Sequence, residues 1–99
     1  MKKLRNIHPG EVLSEEFLKP LNISLKEISK ETGISLARVN AIVKGLKPVD
    51  ASVALRFAKY FGNTPKFWLG LQDDFDIEEE SKRNHKAIMS IRGFNRNAA

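Results

Sequence analysis

Residues 23–45, ISLKEISKETGISLARVNAIVKG, restrict this chain more than any other stretch, because they fit only two short helices meeting at a tight turn. Ser24 stands at an N-cap position with Glu27 three residues on, the spacing of a capping box. Leu25, Ile28 and Thr32 then recur at helical spacing. Gly33 breaks the helix, since the left-handed backbone needed there costs a residue with a Cβ about 1 kcal/mol or more. Ile34 bridges the turn and Ser35 caps a second helix, in which Val39, Ile42 and Val43 form an apolar stripe. Gly45 follows Lys44 and ends it. Two capped helices joined through Gly, the second apolar on one side and polar on the other, are the pattern of a helix-turn-helix.

Once that stripe is assigned, Leu36, Ala37, Arg38, Asn40, Ala41 and Lys44 remain on the outer face of the second helix. Arg can grip guanine O6/N7 or a phosphate, Asn can pair with adenine N6/N7, and Ala can sit against a thymine methyl. A solvated helix face also carries Arg and Lys, so the capped geometry around these residues is what turns the reading toward nucleic acid.

On either side the pattern stays helical. His8-Pro9-Gly10 opens a first helix through about Leu18, with Pro9 at a position needing no amide hydrogen and Glu11 near the positive helix end. Leu13 and Phe17 lie one turn apart and face the core, and Pro20 closes the helix. After Gly45, residues 46–49 form a loop in which Pro48 excludes a continuous helix. Asp50 or Ser52 caps a fourth helix carrying Ala54, Phe57, Ala58 and Phe61, with Gly62 as its stop. Thr64-Pro65 opens a fifth, containing Phe67, Trp68, Leu69, Leu71 and Phe75. No segment alternates with period two, so the expected fold is all-α, five helices with the helix-turn-helix at about 24–44. Residues 1–80 form one domain in this reading, and 81–99 a basic tail, helical or flexible. Of the aromatic cluster, Trp68 suits the core, whereas Phe67 and Leu71, one turn apart, suit a two-fold dimer interface.

The charge is unevenly placed within a net +5 over 99 residues. Residues 24–47 carry Lys26, Lys30, Arg38, Lys44 and Lys47 against Glu27 and Glu31, a local +3. Residues 73–80 carry Asp73, Asp74, Asp76, Glu78, Glu79 and Glu80, a local −6, and 81–99 return +5 from Lys82, Arg83, Lys86, Arg92 and Arg96. An acidic block between basic ones neutralises the tail, meets a basic partner, or is simply a solvated helix end. Enzymatic chemistry finds little support. There is no Cys nucleophile or thiolate ligand, His8 and His85 lie at opposite ends, no Gly-rich loop cradles phosphate, and the acidic block lacks the spaced ligands of an EF-hand loop. No cofactor is expected. The absence of cysteine fits a reducing cytoplasm, no apolar run approaches 18 residues, and the basic N-terminus lacks the apolar region of a secretory signal.

HPGEVLSEEFLKPL, GISLARVNAIVKG and ALRFAKYFGNTPKFWLGLQ together resemble the HigA/VapI antitoxins of the lambda-repressor-like helix-turn-helix class, over residues 7–77. The central motif resembles the larger class, while HPGE and FWLGLQ are the more specific segments. The resemblance implies a homodimer that binds a palindromic operator in double-stranded DNA upstream of its own operon. It also implies that the protein sequesters a small mRNA-cleaving toxin of the HigB/RelE type. By position it implies a DNA-facing set of Ser35, Leu36, Ala37, Arg38, Asn40 and Ala41, with Lys44 and Lys47 near phosphates; Lys26, a basic residue beside the motif, is a further DNA-binding candidate. Leu25 and Leu36 depart from the larger class, in which a Gln and a polar or basic residue are common there. These two keep open a protein-interaction module that no longer reads DNA, beside a free-standing regulator without a toxin.

Overall fold

The structure, a computed structural model, describes residues 5–94. Six helices are counted among them and no strand. Helix α1 begins over Pro9–Val12 and runs on without interruption as wider π-helical turns over Leu13–Leu18. It is followed by α2 (Leu25–Thr32), α3 (Leu36–Val43), α4 (Ala51–Phe61), α5 (Pro65–Arg83) and α6 (His85–Met89). Four of these starts use the same device. Ser24, Ser35, Asp50 and Thr64 each accept the N–H three residues on, at 3.0, 3.1, 3.0 and 3.1 Å. Each cap satisfies an amide the helix cannot, and typically stabilises it by about 1 kcal/mol. Asp50, not Ser52, is therefore the cap of α4.

The helices enclose one core. Trp68, Phe57, Leu13, Ile28, Ile42, Val39, Val49 and Val53 are fully buried, with Leu18, Ile34, Ala54 and Ala58 beside them. Trp68 is the hub. Its ring lies 5.0 Å from Phe57 and 5.1 Å from Phe17, and its indole N–H donates to the Asn63 side chain at 2.9 Å. Burial of the ring thus leaves no polar atom without a partner.

The first helix differs in detail from the simple α-helical spacing. The amide of Lys19 donates to the Ser14 carbonyl five residues back, at 3.0 Å. This wider turn brings Leu13 and Leu18, five apart, onto one buried face, leaving Phe17 half-buried against Phe61 at 4.8 Å. The helix can lie close on α3 because Gly10 has no side chain. A Cβ there would stand 1.7 Å from the carbonyl oxygen of Ile42.

Helix α5 continues through residue 80 to Arg83, where Asn84 separates it from the short α6. Within it Lys82 pairs with Glu78 and Arg83 with Glu80, both at 3.0 Å, so part of the tail's charge is met by the acidic block one turn back. Arg96 lies outside the described residues.

Candidate nucleic-acid interface

The α2–α3 corner is held by a dense set of polar bonds. Gly33 takes the left-handed conformation, φ 76°. The Thr32 hydroxyl donates to the Ile28 carbonyl, and the Ser29 hydroxyl to the Ile34 carbonyl at 2.6 Å. From α4, Arg56 donates to the Thr32 carbonyl at 2.7 Å, satisfying an acceptor at the end of α2. The turn is thereby fixed to the body of the protein, and with it the direction of α3.

Helix α3 buries Val39 and Ile42 and half-buries Val43. At 3.6 residues per turn the opposite face is centred on Ala37, Asn40, Ala41 and Lys44, with Leu36 and Arg38 at its two edges. Leu36 is 42% exposed, a large apolar side chain presented to the outside at the start of the helix. Ser35 spends its hydroxyl on the cap. Ser35, Ala37, Arg38 and Ala41 line one concavity together with Lys47 and Pro48 of the following loop. Lys44 ends α3 and is exposed, as is Lys26 in the first turn of α2. Leu25 is half-buried and packs against the core, so its apolar character has a structural cause.

Two features of this face are not visible in the linear pattern. The first is an ion pair in which an Arg38 terminal nitrogen donates to Asp50 Oδ2 at 2.6 Å. The Asp50 carboxyl lies below its usual pKa, chiefly because it accepts the Val53 N–H and then because Arg38 stands beside it. The second is Gln72 of α5, 6% exposed, whose Oε1 accepts the buried Val49 N–H at 2.8 Å while its amide donates to Asp76 at 2.9 Å. Through this bond α5 holds the loop that carries Lys47 and leads into Asp50. A Gln in a polar-looking stretch gives no linear signal of a contact 23 residues away.

His8 has a structural part. Its Nδ1 accepts the Gly10 N–H at 2.8 Å, capping α1, and its ring meets Phe75 edge-on at 4.9 Å. Burial lowers its pKa, partly opposed by Asp76. His85 lies apart in α6, and no group of His, Cys, Asp and Glu able to hold a metal occurs among the described residues. No described helix is long and apolar enough to cross a membrane. Phe67, 40% exposed, meets the Trp68 ring edge-on at 5.1 Å, and Leu71 is half-buried on the core. Beyond them Ile77, Ile88, Met89 and Ile91 are exposed.

The helix-turn-helix family model matches residues 15–69, from the middle of the first helix to the first turn of α5. The chain is 37% identical over 87 residues to virulence-associated protein I of Dichelobacter nodosus, covering 86% of this chain and 81% of that one. It is 35% identical over 81 residues to antitoxin HigA-1 of Vibrio cholerae, covering 82% and 76%. The chain belongs to the HigA/VapI group of the helix-turn-helix family. As a HigA-type protein it falls among DNA-binding, non-enzymatic relatives. Its fold matches the Pseudomonas aeruginosa antitoxin HigA solved with the higBA promoter, with a TM-score of 0.87 and 33% identity over 92% of this chain and 100% of that one. It also matches antitoxin GraA in complex with its operator, with a TM-score of 0.86 and 33% identity over 96% and 97%.

Proposed function

We propose that this HigA-type chain is a sequence-specific repressor that binds an operator upstream of its own operon, with α3 in the major groove. The observation that carries this reading is the outer face of α3. It is fixed in direction by the α2–α3 corner and presents Arg38, Asn40 and Ala41 beside the concavity that ends in Lys47. Arg38 and Asn40 supply the donors and acceptors that read base edges, Leu36, Ala37 and Ala41 the methyl-sized surface that suits thymine, and Lys26, Lys44 and Lys47 the phosphate charge. Two relatives of nearly the same fold were solved on a promoter and an operator, which supports the same docking here.

Operator reading of this kind needs two copies. The homodimer we propose lies about the outer side of α5, with Phe67 and Leu71 at the two-fold, and two recognition helices can enter successive major grooves of a palindromic site only if about 34–36 Å apart. The second activity is neutralisation of a HigB/RelE-like toxin encoded beside it, both acting in the cytoplasm. An RNA-cleaving partner is expected to be basic. Asp73 and Asp74 of α5 form no ion pair among the described residues, whereas Glu11 and Glu15 of the first helix already pair with Arg5 and Lys19. Within residues 73–80, where Glu78 and Glu80 pair with Lys82 and Arg83, it is Asp73 and Asp74 that this difference favours as the surface that speeds encounter, with Glu16 as the rival on the first helix. Footprinting of the upstream DNA tests the repressor reading: two protected half-sites about one helical turn apart are expected, and a uniform pattern contradicts it.

A further inference from the structure

We infer that Asp50 determines sequence specificity by aiming the Arg38 guanidinium at one base pair of the operator. The inference rests on the DNA-binding reading above and adds to it a residue outside the recognition helix. A surface ion pair between two mobile side chains orders little. Here one partner is already fixed. Asp50 Oδ1 is held by the Val53 amide at 3.0 Å, while Oδ2 accepts from Arg38 at 2.6 Å. The backbone just before it is anchored as well, because Val49 donates to the buried Gln72. The carboxylate is therefore a rigid acceptor built on α4 and α5, and it restrains a flexible side chain that rises from α3.

The chemistry of the guanidinium makes that restraint useful. Its N–H donors form a planar fork, so holding one terminal nitrogen restricts the directions in which the others can meet guanine O6 and N7. Arg38 borders the concavity formed with Ala37, Ala41, Lys47 and Pro48, where a base edge or phosphate would enter. A carboxylate beside this surface also repels phosphate, and the cap of α4 does not require it, since Asn caps a helix about as well as Asp. Its place is accounted for if it orients Arg38.

Asp50→Asn separates these roles, because it keeps a capping oxygen and removes the charge. Binding would be measured at one salt concentration on the operator, on operators with each base pair changed singly, and on random DNA. The expected result is a preference lowered by roughly 5- to 150-fold at one base pair, the worth of a bidentate contact, with affinity for random DNA equal or higher. In an Arg38→Ala background, Asp50→Asn should change no preference. Asp50→Ser, a second capping variant, should repeat the loss if the Asn variant fails to fold. An Asp50→Asn protein that keeps every preference and gains affinity equally on all DNA would overturn the inference, showing a general electrostatic penalty instead. A wild-type protein without preference for any sequence would remove the DNA-binding reading itself, and the inference with it.

Discussion

Replacing Gln72 by Leu should destabilise the fold by about 2 kcal/mol, although the position lies in a helix among charged residues. The magnitude follows from what each atom of the side chain does. Oε1 is the acceptor for the amide of Val49, a residue 2% exposed, so Leu would leave that N–H buried without a partner. Such an orphaned group costs about 1–3 kcal/mol. Loss of the bond to Asp76, nearer solvent, adds about 0.5 kcal/mol, the low end for a hydrogen bond. The greater apolar burial of Leu offsets part of this, which brings the net to about 2 kcal/mol. For a domain of this size that lowers Tm by roughly 8–16 °C. Urea titration with an unchanged slope would measure it, alongside Gln72→Met as a control of similar shape and the same missing acceptor. Both variants should fall together. A change below about 0.5 kcal/mol would refute the claim that α5 holds the 46–49 loop through this bond.

Gly10→Ala should cost about 3 kcal/mol, at the upper end of ordinary overpacking, because its Cβ would stand 1.7 Å from the Ile42 backbone oxygen in the recognition helix; normal stability in a urea titration would show that the first helix can move off α3. His8 should make stability fall with acid. Burial depresses its folded pKa below the usual 6.5, so its contribution is fully present above that pH and is lost as pH falls through the lower folded value. His8→Asn keeps a capping acceptor without titrating, so the difference in stability between the two proteins should change between pH 7 and 5, and a constant difference would exclude the effect. Phe67→Glu, at a residue 40% exposed, should leave a folded monomer with weak DNA binding by sedimentation and titration; an unfolded variant would place Phe67 in the core, and a dimeric one would move the interface.

The helix-turn-helix was legible because its information is local. Capping by Ser24 and Ser35 and the left-handed Gly33 each depend on residues within one turn, and spacing gives Val39 and Ile42 of α3 and Ala54, Phe57 and Ala58 of α4, though not the buried Val53, and Phe61 is only half-buried. The widened first helix was not, since the choice of Leu18 over Phe17 as its second buried residue depends on the aromatic rings of α4 and α5 already filling that space. Leu25, which recurs with Ile28 and Thr32 at helical spacing, packs on the core with them, and this accounts for one of the two departures from the larger class. The outer face of α3 could be named from the sequence, but the groups that position it could not. Asp50 lies 12 residues from Arg38, and Gln72 lies 23 from Val49; only the packed fold brings them together.

The most direct test of the central claim is the affinity for double-stranded DNA from upstream of this gene, titrated with salt beside a scrambled duplex. With about 6–10 phosphates neutralised by a dimer, affinity for the upstream DNA should fall by ~10³–10⁵ between about 50 and 200 mM salt. It should also exceed that for the scrambled duplex at every salt concentration. Binding that is indifferent to salt, or equal on both duplexes, would contradict a repressor that reads its operator through α3.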